Sequence, residues 1–460
     1  MPRLLIKISI FFFILVGILS CRAPKLIIMH YKERQLTFGA SGHTINNIQI
    51  FSSSDQWIVF DTRNNDTEIS RTGSIEMVDV HTGEIKQLYK TENQTQYGPG
   101  VGAATFSPVA DRVLFLHGIR NANREHPYDF TRRTGVAVDI NKPFQPEFLD
   151  ARNIIAPYTP GALRGGTHAH SWSADGKWIS FTYNDYVLQQ LSKKDSTVKD
   201  LRTVAVMTPL SKVTVVENGK ENNNGEMFSA VVAAVTASPK WGTDEIDRAF
   251  DETWIGTGGY QRKDGKWQPH AIAFQGNVYD EKGRAKTEIF VVDIPADITK
   301  ARPGEHLEGT EESMPATPSG TAQRRITFSA EGVHGPRHWL RSTPDGKLIA
   351  FLAKDEKAIV QIYSVSPNGG AVSQLTFNNF SIQSSFNFSP DGKHLAYLAD
   401  NSIFITDLQT KAATRTTSGT TADEAPTGGV VWSNDGKALA YNRYVSNKEG
   451  RFLQIFLLIK

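Results

Sequence analysis

A single cysteine, Cys21, occurs in 460 residues. One cysteine excludes an internal disulfide, a cysteine-rich zinc site and a CxxC redox centre, so stability must come from core packing. Excess charge is missing too. Lys and Arg number 50 against 48 Asp and Glu, a formal net charge of +2 that Arg3 and Lys7 alone account for. Nucleic-acid binders carry a basic excess, so the composition argues against that class of partner. Familiar catalytic signatures are absent: there is no GxSxG, no HExxH, no Walker loop and no GxGxxG after a strand. Only one long apolar run exists, from Ile8 to Leu19, and it is short for a bilayer span.

That run follows two basic residues and ends at Ser20-Cys21, the form of a secretory signal. Ile18-Leu19-Ser20-Cys21 resembles a bacterial lipobox, which makes Cys21 the expected lipidated first residue of an exported lipoprotein. Arg22, rather than Asp, favours the outer membrane, facing the periplasm or the cell surface. Residues 1–21 are therefore set apart from the fold.

What the chain has in quantity is a repeat. Ser/Thr, Pro or Ala, Asp-Gly-Lys and an alternating run recur as WSADGKWISFTY (172–183), STPDGKLIAFLA (342–353), FSPDGKHLAYLA (388–399) and WSNDGKALAYNR (432–443). Looser copies stand at 51–61 and 106–117. Asp-Gly between apolar strands signals a hairpin, because glycine accepts the positive φ of the turn. Third strands follow at 74–83, 358–370 and 402–411, and short fourth strands at 86–89, 373–377 and 414–417. Four antiparallel strands every 40 to 60 residues or so is the pattern of a propeller blade. First strands near 48, 103, 169, 229, 337, 386 and 429 predict an all-β, seven-bladed β-propeller, one domain over about 28–460. The fourth blade is expected over 228–328 with a helical insertion at 242–256. The last blade has three strands, so ERQLTF (33–38) is expected to complete it and close the ring.

First strands line a propeller's channel. Aligning blades on the turn aspartate puts His168 and His338 at one register in blades three and five. His170 lies two residues beyond His168, which predicts the same strand face. Gln383 is one residue off this register. His334, His43 and Glu424 occupy nearby offsets, and Arg164, Arg337 and Tyr158 flank the histidines. Neutral imidazoles converging with an amide or carboxylate suit Mn, Zn or Fe(II). Arginines beside them suit a carboxylate ligand. Three readings stay open: a site for one divalent metal at His168, His170, His338 and Gln383, a metal-free polar pocket using Arg164, Arg337, Tyr158, Glu424, His43 and His334, or a purely structural role.

The Asp-Gly-Lys hairpins resemble the WD40-like repeats of TolB-type propellers. Longer stretches are more specific: QLTF (35–38), DVHTGE (79–84), residues 155–185 from IAPYTPG to SFTYND, DEIDRAFDETWIG (244–256), QRRITF (323–328) and PRHWLRS (336–342). Through these, nearly the whole mature chain resembles the YidR family of bacterial propeller proteins, a resemblance that implies the fold and carries no activity. A weaker resemblance is to oligogalacturonate lyases, seven-bladed propellers that hold a divalent metal through His and Gln. It makes His168, His170, His338 and Gln383 counterparts in kind and assigns no catalytic residue.

Three functions are therefore expected, in this order. The first is a monomeric, membrane-anchored propeller binding a glycan, acidic sugar or protein at a His-rich funnel. The second is a metal-dependent lyase or hydrolase on acidic sugars. The third is a TolB-like scaffold for protein partners.

Overall fold

The computed structural model describes residues 31–216 and 219–460. The lipobox and Cys21 lie outside the described residues. Each Asp-Gly repeat builds the same local device. The carboxylate of Asp175 accepts from the Lys177 N–H at 3.1 Å and from the Ser173 hydroxyl at 2.6 Å, and that hydroxyl accepts from Trp178 N–H at 2.9 Å. Asp391 and Asp435 repeat it with Ser389 and Ser433. Gly176 takes φ +68° at the turn. Serine and aspartate thus satisfy the backbone where one strand reverses into the next.

The hairpins grow into seven antiparallel sheets around one axis. Blade one pairs Trp57–Asp61, Ser74–Asp79 and Ile85–Lys90, with residues 44–51 as an irregular inner edge bridged at Thr44 and Phe51. Blade two runs Val101–Phe106, Arg112–Gly118, Arg133–Asp139, Glu147–Phe148. Blade three is Gly165–Trp172, Ile179–Asp185, Arg202–Thr208, Phe228–Val231. Blade four is Ala249–Trp254, Ala271–Tyr279, Ala285–Asp293, Ala322–Arg325. Arg341–Ser342 begins blade five, Ile382–Phe388 blade six and Pro426–Trp432 blade seven.

Two expectations about blade four are corrected. The stretch at 228 is not its first strand. Phe228–Val231 pairs with Arg202–Thr208 as the outer strand of blade three. A long connection, 209–227, separates these two strands and hides their partnership in the sequence. Nor is 242–256 a helix. Ala249–Trp254 is the inner strand of blade four, paired with Ala271–Tyr279. Ile246 and Ala249 are apolar at helical spacing, yet both are buried in the blade three–blade four core. Sheet pairing and that burial override local periodicity.

The ring closes as expected. Lys32–Gln35 pairs antiparallel with Gly450–Ile459, from Lys32 opposite Ile459 to Gln35 opposite Phe456. Hydrophobic cores lie between neighbouring blades. One of them, with Leu36, Ile45, Ile58, Val431 and Leu457, joins blade seven to blade one. The N-terminal strand therefore seals both the sheet edge and the last inter-blade core.

Candidate functional site

Near mid-height, the inner strands stop alternating. Their ladders shift register between Gly102 and Thr105, His168 and Ser171, Phe250 and Thr253, Ile382 and Phe386, and Thr427 and Val431. Non-glycine residues take left-handed φ at these bulges: Ala103 at +54°, Ala169 at +58° and Asp251 at +51°. Such a bulge re-aims the side chains on either side of it.

Above the bulges the channel widens into a cavity of about 530 Å³. Arg63, Arg133, Arg202 and Arg337 line it, with His168, Gln383 and Trp339. Among the described residues Asp66 is its only lining carboxylate. The four guanidiniums divide into two kinds. Arg63 is held bidentately by Asp61, at 2.6 and 2.9 Å, and by Asp66 at 2.9 Å. Arg337 pairs with Asp251 at 3.0 Å and lies 4.5 Å over Trp339. Arg133 and Arg202 make no ion pair among the described residues. Arg133 lies 4.9 Å over Tyr128, and Arg202 reaches Asn184 Oδ1 at 3.4 Å. Burial pulls the pKa of both below the usual guanidinium value; Arg337 lowers both further, while Asp129 opposes the shift at Arg133 and Asp251 at Arg202. His168 faces this group with no hydrogen-bond partner. Burial, then Arg133, Arg202 and Arg337, hold it well below its ordinary pKa, so it is neutral. Two guanidiniums without a direct ion pair among the described residues thus stand beside a neutral imidazole, with Asp129 near Arg133 and Asp251 near Arg202.

The predicted metal set does not assemble. Of the four residues, His168 and Gln383 line the cavity; His170 and His338 do not. The bulge at Ala169 turns His170 away from His168. His170 packs into its own blade, with Nε2 3.0 Å from Thr167 Oγ1, and burial lowers its pKa to about 3. His338 spends both ring nitrogens: Nδ1 donates to Pro336 O at 2.9 Å and Nε2 accepts from Leu352 N–H at 3.1 Å. Among the described residues no group of three His, Cys, Asp or Glu side chains could hold a metal ion. These residues do not fit a divalent metal.

The other expected ligand residues mostly serve the scaffold. Arg164 is fully buried, bonded to Asp185 at 2.7 and 3.0 Å and to Ser313 O and Thr310 O, so it ties down the long loop of blade four. Asp185 also caps the helix Tyr186–Ser192 by accepting from Leu188 N–H. Tyr158 stacks on Arg164 at 4.7 Å. His43 is buried 5.0 Å from Phe60, and burial lowers its pKa to about 4. Neither His334 nor Glu424 lines the cavity; Glu424 ends the exposed turn Ala422–Glu424. Of the polar-pocket set, Arg337 alone reaches it.

Arg63, Arg133 and Arg202 escape the sequence reading. A signal existed for two of them: Arg133-Thr134 and Arg202-Thr203 each open the third strand of a blade. The same pair at the same strand position in neighbouring blades puts both guanidiniums at one height.

A family model described as a protein of unknown function (DUF3748) matches residues 100–223, and the dipeptidyl peptidase IV N-terminal region matches 360–448. In fold the chain is similar to an oligogalacturonate lyase in complex with manganese, with TM-score 0.53, 13% identity and 94% of this chain and 96% of that one covered. An oligogalacturonate lyase from Vibrio parahaemolyticus gives TM-score 0.52 at 10% identity, covering 94% and 97%. Such likeness shows a shared propeller and no more. In sequence, the uncharacterized protein YidR of Escherichia coli (strain K12) is 38% identical over 422 residues, 89% of this chain and 95% of that protein. Identity of that degree over nearly the full length of both shows that the chain belongs to the YidR family of β-propeller proteins.

Proposed function

We propose that the chain binds an acidic sugar, or a ligand of like carboxylate chemistry, in its arginine-lined funnel, and does so without a metal. One observation carries this reading: Arg133 and Arg202 enter a single cavity beside neutral His168 with no direct ion pair among the described residues. A uronate oligomer offers repeated carboxylates at a spacing that several guanidiniums can meet. No contact among the described residues favours the metal-dependent lyase or the protein scaffold.

Export as a lipoprotein anchored at Cys21 belongs to the same proposal. Its support is the lipobox, Ile18-Leu19-Ser20-Cys21. Mass spectrometry of the N-terminal peptide checks this, by the mass of a diacylglyceryl group on Cys21.

Calorimetric titration of trigalacturonate, with neutral galactotriose beside it, tests the binding. The acidic trimer is expected to bind and the neutral one not to. Arg133→Gln/Arg202→Gln is expected to weaken binding about tenfold or more. Equal binding of both trimers, or an unaffected double variant, contradicts the proposal.

A further inference from the structure

The channel has a second chamber. It opens on the face of the Asp-Gly turns, with a volume of about 320 Å³. Phe51, Trp172, Trp254, Phe388 and Trp432 wall it, from blades one, three, four, six and seven. Arg341 stands between the two chambers. Its Nε donates to Asn387 Oδ1 at 2.6 Å, Nη1 to Leu340 O at 2.9 Å, and Nη2 to Asn47 Oδ1 at 2.7 Å and Asn47 O at 3.1 Å. Asn47 lines the funnel and Asn387 the second chamber, so this knot divides the axis.

Charge is the first notable property of the chamber. Among the described residues Arg341 is the only charged one lining it, with no Asp or Glu. The guanidinium is 5% exposed and makes no ion pair among the described residues. Burial lowers its pKa to about 10, and the charge of Asp251, which lies near without a direct ion pair, opposes that shift.

Unspent donors are the second. A guanidinium has five N–H groups, and the four bonds above leave one, on Nη1. The three indoles differ in the same way. Trp254 donates to Ser171 O at 3.0 Å and Trp432 to Asn387 O at 3.4 Å. Trp172, 3% exposed, has a buried Nε1–H with no acceptor.

We propose that this chamber is a second binding site, for a small organic monocarboxylate with an aromatic or branched apolar body. The carboxylate supplies the direct ion pair that Arg341 lacks among the described residues and the acceptors that Arg341 and Trp172 leave open. The apolar body packs among Trp254, Phe388 and Trp432, where burial of its surface adds affinity. A volume near 300 Å³ suits one ring and a short arm, not a polymer.

Tryptophan fluorescence of the purified full-length chain titrated with phenylacetate, and with neutral phenylacetamide, tests this. Phenylacetate is expected to saturate the signal and phenylacetamide to bind about tenfold more weakly. Trp172→Phe, which keeps a ring and loses the donor, and Trp432→Leu, which opens the wall, are each expected to weaken phenylacetate binding severalfold. Arg133→Gln/Arg202→Gln is expected to leave it unchanged, which separates this chamber from the funnel. Equal affinity for the amide, unchanged affinity in both tryptophan variants, loss in the funnel variant, or no saturation up to about 10 mM overturns the proposal.

Discussion

The Nε2 of His338 accepts a hydrogen bond from the backbone N–H of Leu352, fourteen residues on in the neighbouring strand, at 3.1 Å. Blade six repeats the relationship at the same separation, with Ser384 Oγ accepting from Leu398 N–H at 3.0 Å. The aligned register thus carries a ladder-satisfying role, filled by histidine in one blade and serine in the next. His338→Ala should cost about 1–3 kcal/mol of stability, read from denaturant unfolding, and leave trigalacturonate affinity unchanged.

The protonation of His338 gives that cost a pH dependence. Burial lowers its pKa to about 4, against an unfolded value near 6.5. The unfolded chain binds the extra proton between those values, so the wild type loses stability as pH falls from 6.5 towards 4. His338→Gln lacks this loss. The stability gap between the two proteins should narrow across that window and be constant above pH 7.

Glu252 titrates with the opposite sign. It is buried, one oxygen accepts from Thr182 Oγ1 at 3.1 Å, and burial pushes its carboxyl up to about 7. The native state keeps a proton that the unfolded chain releases near pH 4.5, so stability falls as pH rises from 4.5 to 7. Unfolding of Glu252→Gln should show an advantage over wild type that grows across this range and levels off above it.

Closure of the ring rests on few residues. Thr37 Oγ1 accepts from Ile455 N–H at 2.9 Å and donates to Gln454 Oε1 at 2.9 Å, and Leu36 is buried between blades seven and one. Leu36→Ala should cost about 2–5 kcal/mol. Thr37→Val should cost about 1–3 kcal/mol. Hydrogen exchange should locate the added opening in blade seven.

Arg164 holds the long loop of blade four through a fully buried pair with Asp185. Removing one partner strands the other charge, so Arg164→Gln should cost about 3–5 kcal/mol. Exchange should rise around residues 310–313, and affinity for the acidic trimer should not change.

The hairpins were legible because their chemistry is local: a serine or threonine, an aspartate and a glycine within four residues specify each Asp-Gly turn. The closing strand was legible because the last blade lacked a fourth member. Blade four misled because its inner strand, Ala249–Trp254, carries apolar residues at helical spacing, while Phe228–Val231 is parted from its partner by a long connection. The histidine register was correct, but the face each histidine takes was not readable. A left-handed Ala169 turns His170 away from His168, and alanine announces no such conformation. The first-strand register does not reach Arg133 and Arg202, because each enters the funnel from the first residue of a third strand.

The most direct measurement is a calorimetric titration of trigalacturonate into the wild type and the Arg133→Gln/Arg202→Gln variant, each with a chelator and then with added Mn²⁺. The expected result is wild-type binding that is equal in both conditions, weakens as salt rises, and falls about tenfold or more in the variant. Binding that appears only with Mn²⁺ and survives loss of both arginines would contradict an arginine funnel and restore a metal to the axis.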